Sequence, residues 1–412
     1  MPTRTADSAR TSANRSSLDA GLLRRLLRAM GDPPIEFQLK WSGENVTAGT
    51  VQPLHQVRLA NRRTLLRLCL DPQMAFGDAY SAGDIEVADD LVAFMESLFR
   101  TPDHLYSRES LLSRALGRLN AYRRSSVVAA RDNIHRHYDL GNEFYALWLG
   151  ESMAYTCAYY DEPQFSLDQA QFAKMDHICR KLRLRAGESV VEAGCGWGSM
   201  ALHMASQYGV HVRAFNISRE QIAYARDRAR ERGLEGRVEF IEDDYRHVSG
   251  RYDAFVSVGM LEHVGPVNYP ELGRVVRRSL TQGGRGLIHS IGHNRPEPLH
   301  PWIERRIFPG AYPPSLGEMA PIFETVNLSI LDVENLRLHY ALTLRDWLRR
   351  FEGALDRVRS MFADEAFIRM WRLYLAGSIA AFETGTLQLF QVLFTTPGNN
   401  DIPMTRRFLY GK

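Results

Sequence analysis

The residues best suited to chemistry form a glycine turn, Glu192-Ala193-Gly194-Cys195-Gly196-Trp197-Gly198, between the strand-like run SVVEA and a helical run. Glycines at alternate positions let a backbone approach a ligand closely and take up positive φ without a Cβ penalty. A dinucleotide loop spaces its glycines G-x-G-x-x-G and places an acid at the tip of the second strand. Here the spacing is G-x-G-x-G, Glu192 stands two residues before the first glycine, and the second strand ends in Asn216-Ile217-Ser218. The pattern points to S-adenosylmethionine ahead of a dinucleotide, with a purely structural turn as the third reading, and marks Glu192, Gly194, Gly196 and Gly198 for the donor. Asp243-Asp244, after the third strand, read equally as acceptors for an adenine amino group or as exposed turn acids. Glu262 and His289 fall at the tips of the fourth and fifth strands; their bland readings are a solvated loop acid and a satisfied buried histidine.

These residues are carried by a β-α-β-α rhythm that begins at Ala186: SVVEAG, MALHMASQYG, HVRAFNIS, EQIAYARDRARERG, RVEFIE, YDAFVSVG, ELGRVVRRSL and RGLIHSIG. Such alternation predicts a doubly wound, largely parallel sheet whose ligands bind at the carboxyl ends of the strands. Late strands are expected at SILDVENL and LFQVLFT, with helices over 343–361 and 365–384 between them. Upstream, LLRRLLRAM (22–30) is a short amphipathic helix stopped by Gly31-Asp32-Pro33-Pro34, and IEFQLKW alternates as a strand. The expected organisation is a disordered tail over 1–20, a small α+β domain over 21–100, a basic helical linker over 101–135 and a catalytic domain over 136–412. The region between Thr101 and His137 carries Arg108, Arg114, Arg118, Arg123, Arg124, Arg131 and Arg136, which suit either a solvated helix or a face resting on anionic lipid.

A chain of 412 residues has room for two cores, and its 45% apolar and 24% charged content is that of a globular protein. The net charge of +3 gives no reason to expect a nucleic-acid partner. Cys69, Cys157, Cys179 and Cys195 form no Cys-x-x-Cys pair and no zinc spacing, so free thiols and no metal are expected. The most apolar stretch, 373–394, is broken by Ser378, Glu383, Gln388 and Gln391, short of the ~18 uninterrupted residues of a membrane span. The opening MPTRTADSARTSANRSS lacks the apolar region of a secretory signal and reads as a frayed tail ahead of a transit peptide. A cytoplasmic location, with any membrane contact peripheral, is the expectation.

Several blocks together resemble the cyclopropane-fatty-acyl-phospholipid synthase family, which includes the mycolic acid cyclopropane synthases. They are HYDLGNEFY (137–145), AYTCAYY (154–160), EAGCGWG, ISREQ, SVGMLEHVGPVNY, LIHSIG and WRLYLAGSIAAFETGTLQLFQVLF. The module containing DPQMAFGDAYSAGDIEV is similar to the amino-terminal domain of the phospholipid-acting members. The resemblance implies a Rossmann-like class I S-adenosylmethionine methyltransferase domain behind a small lipid-binding-like α+β domain, acting on unsaturated phospholipid in the bilayer, and leaves a homodimer open. It places Tyr155, Thr156, Gly194, Gly196, Ser218, Gln221, Asp244 and Tyr245 against the donor. It places Cys157, Glu262, His289, the backbone of Ile291 and Tyr340 around a bound bicarbonate. Departures are mild: Thr156 stands for a more usual Ser, Glu192-Ala193 for Asp-Ile, and Asn216 for Thr.

The chemistry so implied is addition of a methyl carbon to an alkene, giving a carbocation that closes to a cyclopropane once a base removes a proton in a site shielded from water. Cys157 has no partner spacing for a thiolate nucleophile and belongs with anion contact instead. Tyr138, Phe144, Tyr145, Trp148, Tyr159 and Tyr160 could steady a cation with their ring faces, although packing is the commoner use of such residues. Rival readings are a methyl or methylene branch from the same cation, a small-molecule N- or O-methyltransferase, and a lipid-binding protein without activity.

Overall fold

A computed structural model describes residues 17–49, 52–101 and 140–410, which fall into two compact units. In the smaller, the alternation of IEFQL makes β1 (Ile35–Leu39), with Ile35, Phe37 and Leu39 facing inward. It pairs antiparallel with β2 (Asn45–Thr47) and parallel with β3 (His55–Leu59), while β4 (Ile85–Val87) closes the far edge. The helix Leu18–Ala29 starts three residues inside the expected tail, where the Ser17 hydroxyl accepts from Ala20 N at 3.1 Å. Leu23 and Leu27 are fully buried, so this part of the amphipathic helix's apolar face is spent on the core of this unit.

Within the span expected for the small domain, the described residues up to Asp90 group with the smaller unit, as does Thr101. Helix Leu91–Arg100 belongs to the larger unit, where Val92 and Phe94 are buried and Glu96 accepts from Arg345 at 3.3 Å. The tail over 1–16 and the basic linker, Thr101 apart, lie outside the described residues. No helix among the described residues is long and apolar enough to cross a membrane.

The larger unit is built on a seven-stranded sheet in the order β10-β11-β9-β8-β5-β6-β7. Its members are β5 (Ser189–Ala193), β6 (His211–Asn216), β7 (Val238–Glu242), β8 (Tyr252–Val258), β9 (Leu280–Gly292), β10 (Ser329–Asn335) and β11 (Gln388–Thr395). β5 to β9 run parallel, and β11 is reversed against both β9 and β10. Each face is covered by its own apolar cluster, one around Val190, Met200, Ile222 and Val256, the other around Val191, Phe215, Leu272 and Ile288. This is the expected Rossmann-like arrangement, late strands included. The single helix expected over 343–361 is two, Arg337–Gly353 and Leu355–Phe362, divided where Gly353 weakens the helix and Ala354 leaves helical geometry.

At Gly273, inside helix Tyr269–Ser279, an added Cβ would lie 2.3 Å from the Ile322 carbonyl oxygen. Gly→Ala ordinarily strengthens a helix. Here Gly273→Ala is expected to destabilise the larger unit by about 1–3 kcal/mol in denaturant unfolding, because two backbones must part.

Candidate active site

The crevice opens where the chain leaves β5 toward β6 and β7 but leaves β8 toward β9. On the β5 side the glycine turn is pinned by Gly194 N and Cys195 N, which donate to the Phe215 carbonyl at 2.8 and 3.0 Å. All three glycines have positive φ, and they differ in what a side chain would meet. A Cβ on Gly194 would strike Met260 at 2.7 Å and one on Gly198 would strike Phe240 at 2.7 Å, while Gly196 has nothing within 4 Å. Two of the glycines are therefore required by packing, and Gly196 presents bare backbone to open space.

Neighbouring side chains hold the turn in shape. Asn216 Nδ2 donates to the Gly196 carbonyl at 3.3 Å and to Gln221 Oε1 at 2.7 Å, and Ser218 caps the helix that carries Gln221. Trp197 Nε1 donates to Asn142 Oδ1 at 2.7 Å. The Glu192 carboxyl is buried, and burial pushes it up to about 8 against the opposing charge of Lys174 and a hydrogen bond from the Ala201 backbone. Of the paired acids, Asp244 is buried with its oxygens engaged by the Arg246 backbone and guanidinium, whereas Asp243 is more exposed and bonds His247. Tyr245 lies beneath the Arg246 guanidinium, 4.9 Å from ring centroid to Cζ.

The segment 154–160 is clamped from two sides. Helix Leu167–Leu182 grips it through Gln171, whose amide donates to the Thr156 carbonyl at 2.9 Å, and through Lys174, whose Nζ donates to Thr156 Oγ1 at 3.0 Å. Helix Arg337–Gly353 grips it through Thr343 Oγ1, which accepts from Ala158 N at 3.0 Å, and His339 Nδ1, which accepts from Tyr160 N at 3.0 Å. Tyr155 sits among Tyr145, Trp148, Trp347 and Phe308, with its hydroxyl 2.9 Å from that of Tyr374. Phe144, Tyr145 and Trp148 are fully buried, Tyr159 is stacked between His177 and His339, and Tyr160 donates to Asp346. Packing is thus the use of these aromatics; Tyr138 lies outside the described residues.

Of the residues expected around an anion, Glu262 and Ile291 are in direct contact: Ile291 N donates to Glu262 Oε1 at 2.6 Å. That N–H is thereby committed, so Ile291 enters the site by orienting Glu262. Burial pushes the Glu262 carboxyl up to about 7 and the His289 imidazole well below its usual range, leaving His289 neutral. His289 Nδ1 is 3.1 Å from the Gln391 amide, and its main chain joins the tip of β8 through Gly259 N–H to His289 O at 2.9 Å. The Cys157 thiol is pushed up by burial, which rules out a thiolate, and lies 3.9 Å from the Leu336 carbonyl at the start of the helix bearing Tyr340. The Tyr340 ring stacks on Phe382 at 4.5 Å. Glu262 Oε2 and His289 Nε2 are buried without a hydrogen-bond partner in the protein.

Sequence reasoning missed Asn142, Asn216 as a bridge, Gln171 and Lys174. The last was findable: in LDQAQFAKMDHICRKL, Lys174 falls on the same stripe as Ala170 and Ile178, where an apolar residue belongs.

A reversed strand in an otherwise parallel seven-stranded sheet, with a glycine turn at its switch point, defines a class I S-adenosylmethionine-dependent methyltransferase. More narrowly, the chain belongs to the mycolic acid cyclopropane synthetase family, whose model matches residues 125–392. It is 35% identical to a "probable fatty acid methyltransferase" of Pseudomonas putida, over 92% of this chain and 96% of that one. It is 34% identical to the cyclopropane-fatty-acyl-phospholipid synthase of Escherichia coli, over 85% of this chain and 90% of that one. A solved structure of the mycolic acid cyclopropane synthase CmaA1 with SAH and CTAB aligns at a TM-score of 0.61 and 25% identity, covering 65% of this chain and 98% of the other.

Because only Gly196 faces open space, Gly196→Ala is expected to fold, losing about 1 kcal/mol to the left-handed backbone, and to weaken donor binding about tenfold or more by calorimetry. Gly198→Ala is expected to lower the melting temperature markedly, since its Cβ meets Phe240 and Ala225.

Proposed function

We propose that the chain transfers a methylene unit from S-adenosylmethionine to the cis double bond of an unsaturated phospholipid acyl chain, forming a cyclopropane, with bicarbonate as the acceptor of the departing proton. The observation that carries this reading is the pair of buried, unpartnered atoms Glu262 Oε2 and His289 Nε2 at the strand tips. An ion that both donates and accepts hydrogen bonds fits such a pair. When bound, the sulfonium supplies an electrophilic methyl group and bicarbonate a weak base.

The chain's own residues then have separate tasks. Gly194, Gly196, Asn216, Ser218 and Gln221 shape the donor cradle, and Tyr155 and Thr156 close it from the opposite wall. Glu262, held by Ile291 N–H through Oε1, would hold the ion through Oε2, and His289, neutral through burial, and Tyr340 would be its further partners. The proton leaves the newly added carbon as the ring closes, so the lipid gains one CH₂ with no change in charge. Burial of Glu262, His289 and Cys157 keeps water from capturing the cation first.

Phospholipid is favoured over a mycolic chain because the mycolic acid enzyme, matched over 98% of its own length, covers 65% of this chain, whereas the E. coli phospholipid enzyme covers 85% of it. Contact with the bilayer is peripheral in this reading. The arginines between residues 101 and 137 are the proposed charge for binding anionic lipid. The likeness to the P. putida protein favours a second reading, in which the same cation resolves to a methyl branch.

Mass spectrometry of unsaturated phospholipid vesicles incubated with the protein and methyl-labelled donor is expected to show a bicarbonate-dependent gain of CH₂ with loss of the double bond. A branched product would transfer the assignment to the second reading, and unlabelled lipid despite donor binding would reject both. At fixed bicarbonate-ion concentration, activity is expected to rise with pH through about 7, where the Glu262 carboxyl ionises. Glu262→Gln should abolish that limb and cut ring formation by about 10²-fold or more, with donor affinity little changed.

A further inference from the structure

The five residues around the proposed bicarbonate contain no cation. They offer a thiol, a carboxyl, a neutral imidazole, a phenol and one backbone N–H already given to Glu262. An anion entering a buried site without a counter-charge is strongly disfavoured, and an ionised Glu262 beside it adds repulsion.

A cation is nevertheless close by. Lys174 is 1% exposed, on the inner face of helix Leu167–Leu182, and its Nζ is held by Thr156 Oγ1 at 3.0 Å. The next residue in the chain is Cys157. The methyl of the same threonine rests on Gly259, so closely that a Cβ there would lie 2.8 Å from it, and Gly259 N–H is bonded to the His289 carbonyl. A single threonine side chain thus ties the ammonium to the wall of the donor cradle and to two strands that carry the anion-site residues. The titratable groups facing Lys174 are Glu192 from β5, Cys157 from the clamped segment, His289 from β9 and His203 from helix Ser199–Tyr208. Burial pulls Lys174 down to about 8.

A buried lysine facing a buried glutamate has an ordinary use as a structural ion pair. Two features go beyond it: Glu192 Oε2 has no hydrogen-bond partner in the protein, and the hydrogen bond recorded for Nζ goes to Thr156, not to that carboxylate. The ammonium is set toward the segment that joins the donor to the anion site.

We propose that Lys174 is the counter-charge of the anion site: fixed by the Thr156 hydroxyl beside Cys157 and the β8–β9 tips, its ammonium supplies the positive potential that lets bicarbonate bind next to Glu262. It acts through its field and so is a positioning residue. The inference rests on the bicarbonate reading above.

The test is equilibrium binding to the full chain, with bicarbonate followed by ¹³C NMR titration and S-adenosylmethionine by calorimetry. Lys174→Met is expected to weaken bicarbonate about tenfold or more and the donor by no more than about threefold, whereas Lys174→Arg should keep bicarbonate within about threefold of the native value. Should the single neutral variant fail to fold, the double variant Lys174→Met/Glu192→Gln removes both buried charges and is read on bicarbonate alone, again about tenfold weaker. Native-like bicarbonate affinity in a neutral variant would mean that Lys174 serves Glu192 only, overturning the proposal while leaving the bicarbonate reading in place. A native chain that binds no bicarbonate would overturn both.

Discussion

Everything in the larger unit depends on the divergence of the chain at β5 and β8. Adjacent in the sheet, they send their following segments to opposite sides, and no connection crosses the gap above them. Space above the two tips is therefore left for a ligand. The glycine turn occupies one lip, and the Gly259–Glu262 segment the other. Met260 from the second lip packs against Gly194 on the first, so the two sides set each other's position.

Charge buried in this crevice has to be balanced within it. Glu192, Glu262, Lys174 and His289 are all withdrawn from water, and each is displaced toward its neutral form by that burial. An arrangement of this kind weakens the fold in isolation, because polar atoms such as Glu262 Oε2 are left unsatisfied. It also gives fixed dipoles and charges far greater influence on a bound ion than they would have in water. The aromatic wall formed by Tyr145, Trp148, Tyr155 and Trp347 keeps the surroundings apolar and so preserves that influence.

How much of this was legible in the sequence depends on the range of the interaction. Strand-and-helix alternation and glycine spacing are local, and they led to the parallel core of the sheet, the existence of two late strands and the position of the turn; the reversal of β11 against β9 and β10 is a long-range pairing that the sequence pattern did not carry. Short-range signals failed where tertiary packing decided the outcome. LLRRLLRAM has the pattern of a surface-seeking helix, yet its leucines found a protein core; helix Leu91–Arg100 follows the small unit in sequence but packs in the larger. Asp243 and Asp244 look alike in sequence, and only the fold separates the exposed acid from the buried one. The partners of Asn216, Gln171 and Lys174 come from distant segments, so their roles had no local signature beyond a lysine on an apolar stripe.

The reversal of β11 has a consequence for the life history of the chain. Among the described residues β10 is hydrogen-bonded to the sheet through β11 alone, whose residues are made some fifty positions later. Until the ribosome has released Gln388–Thr395, the edge of β9 lies open and β10 has nothing to join, although β5 to β8 are already complete. The helix bearing Tyr340 starts directly after β10, so the wall it forms waits on β11 as well. A nascent chain therefore passes through a stage with a finished nucleotide cradle and an unpaired edge strand, the condition under which chaperone capture competes with self-association.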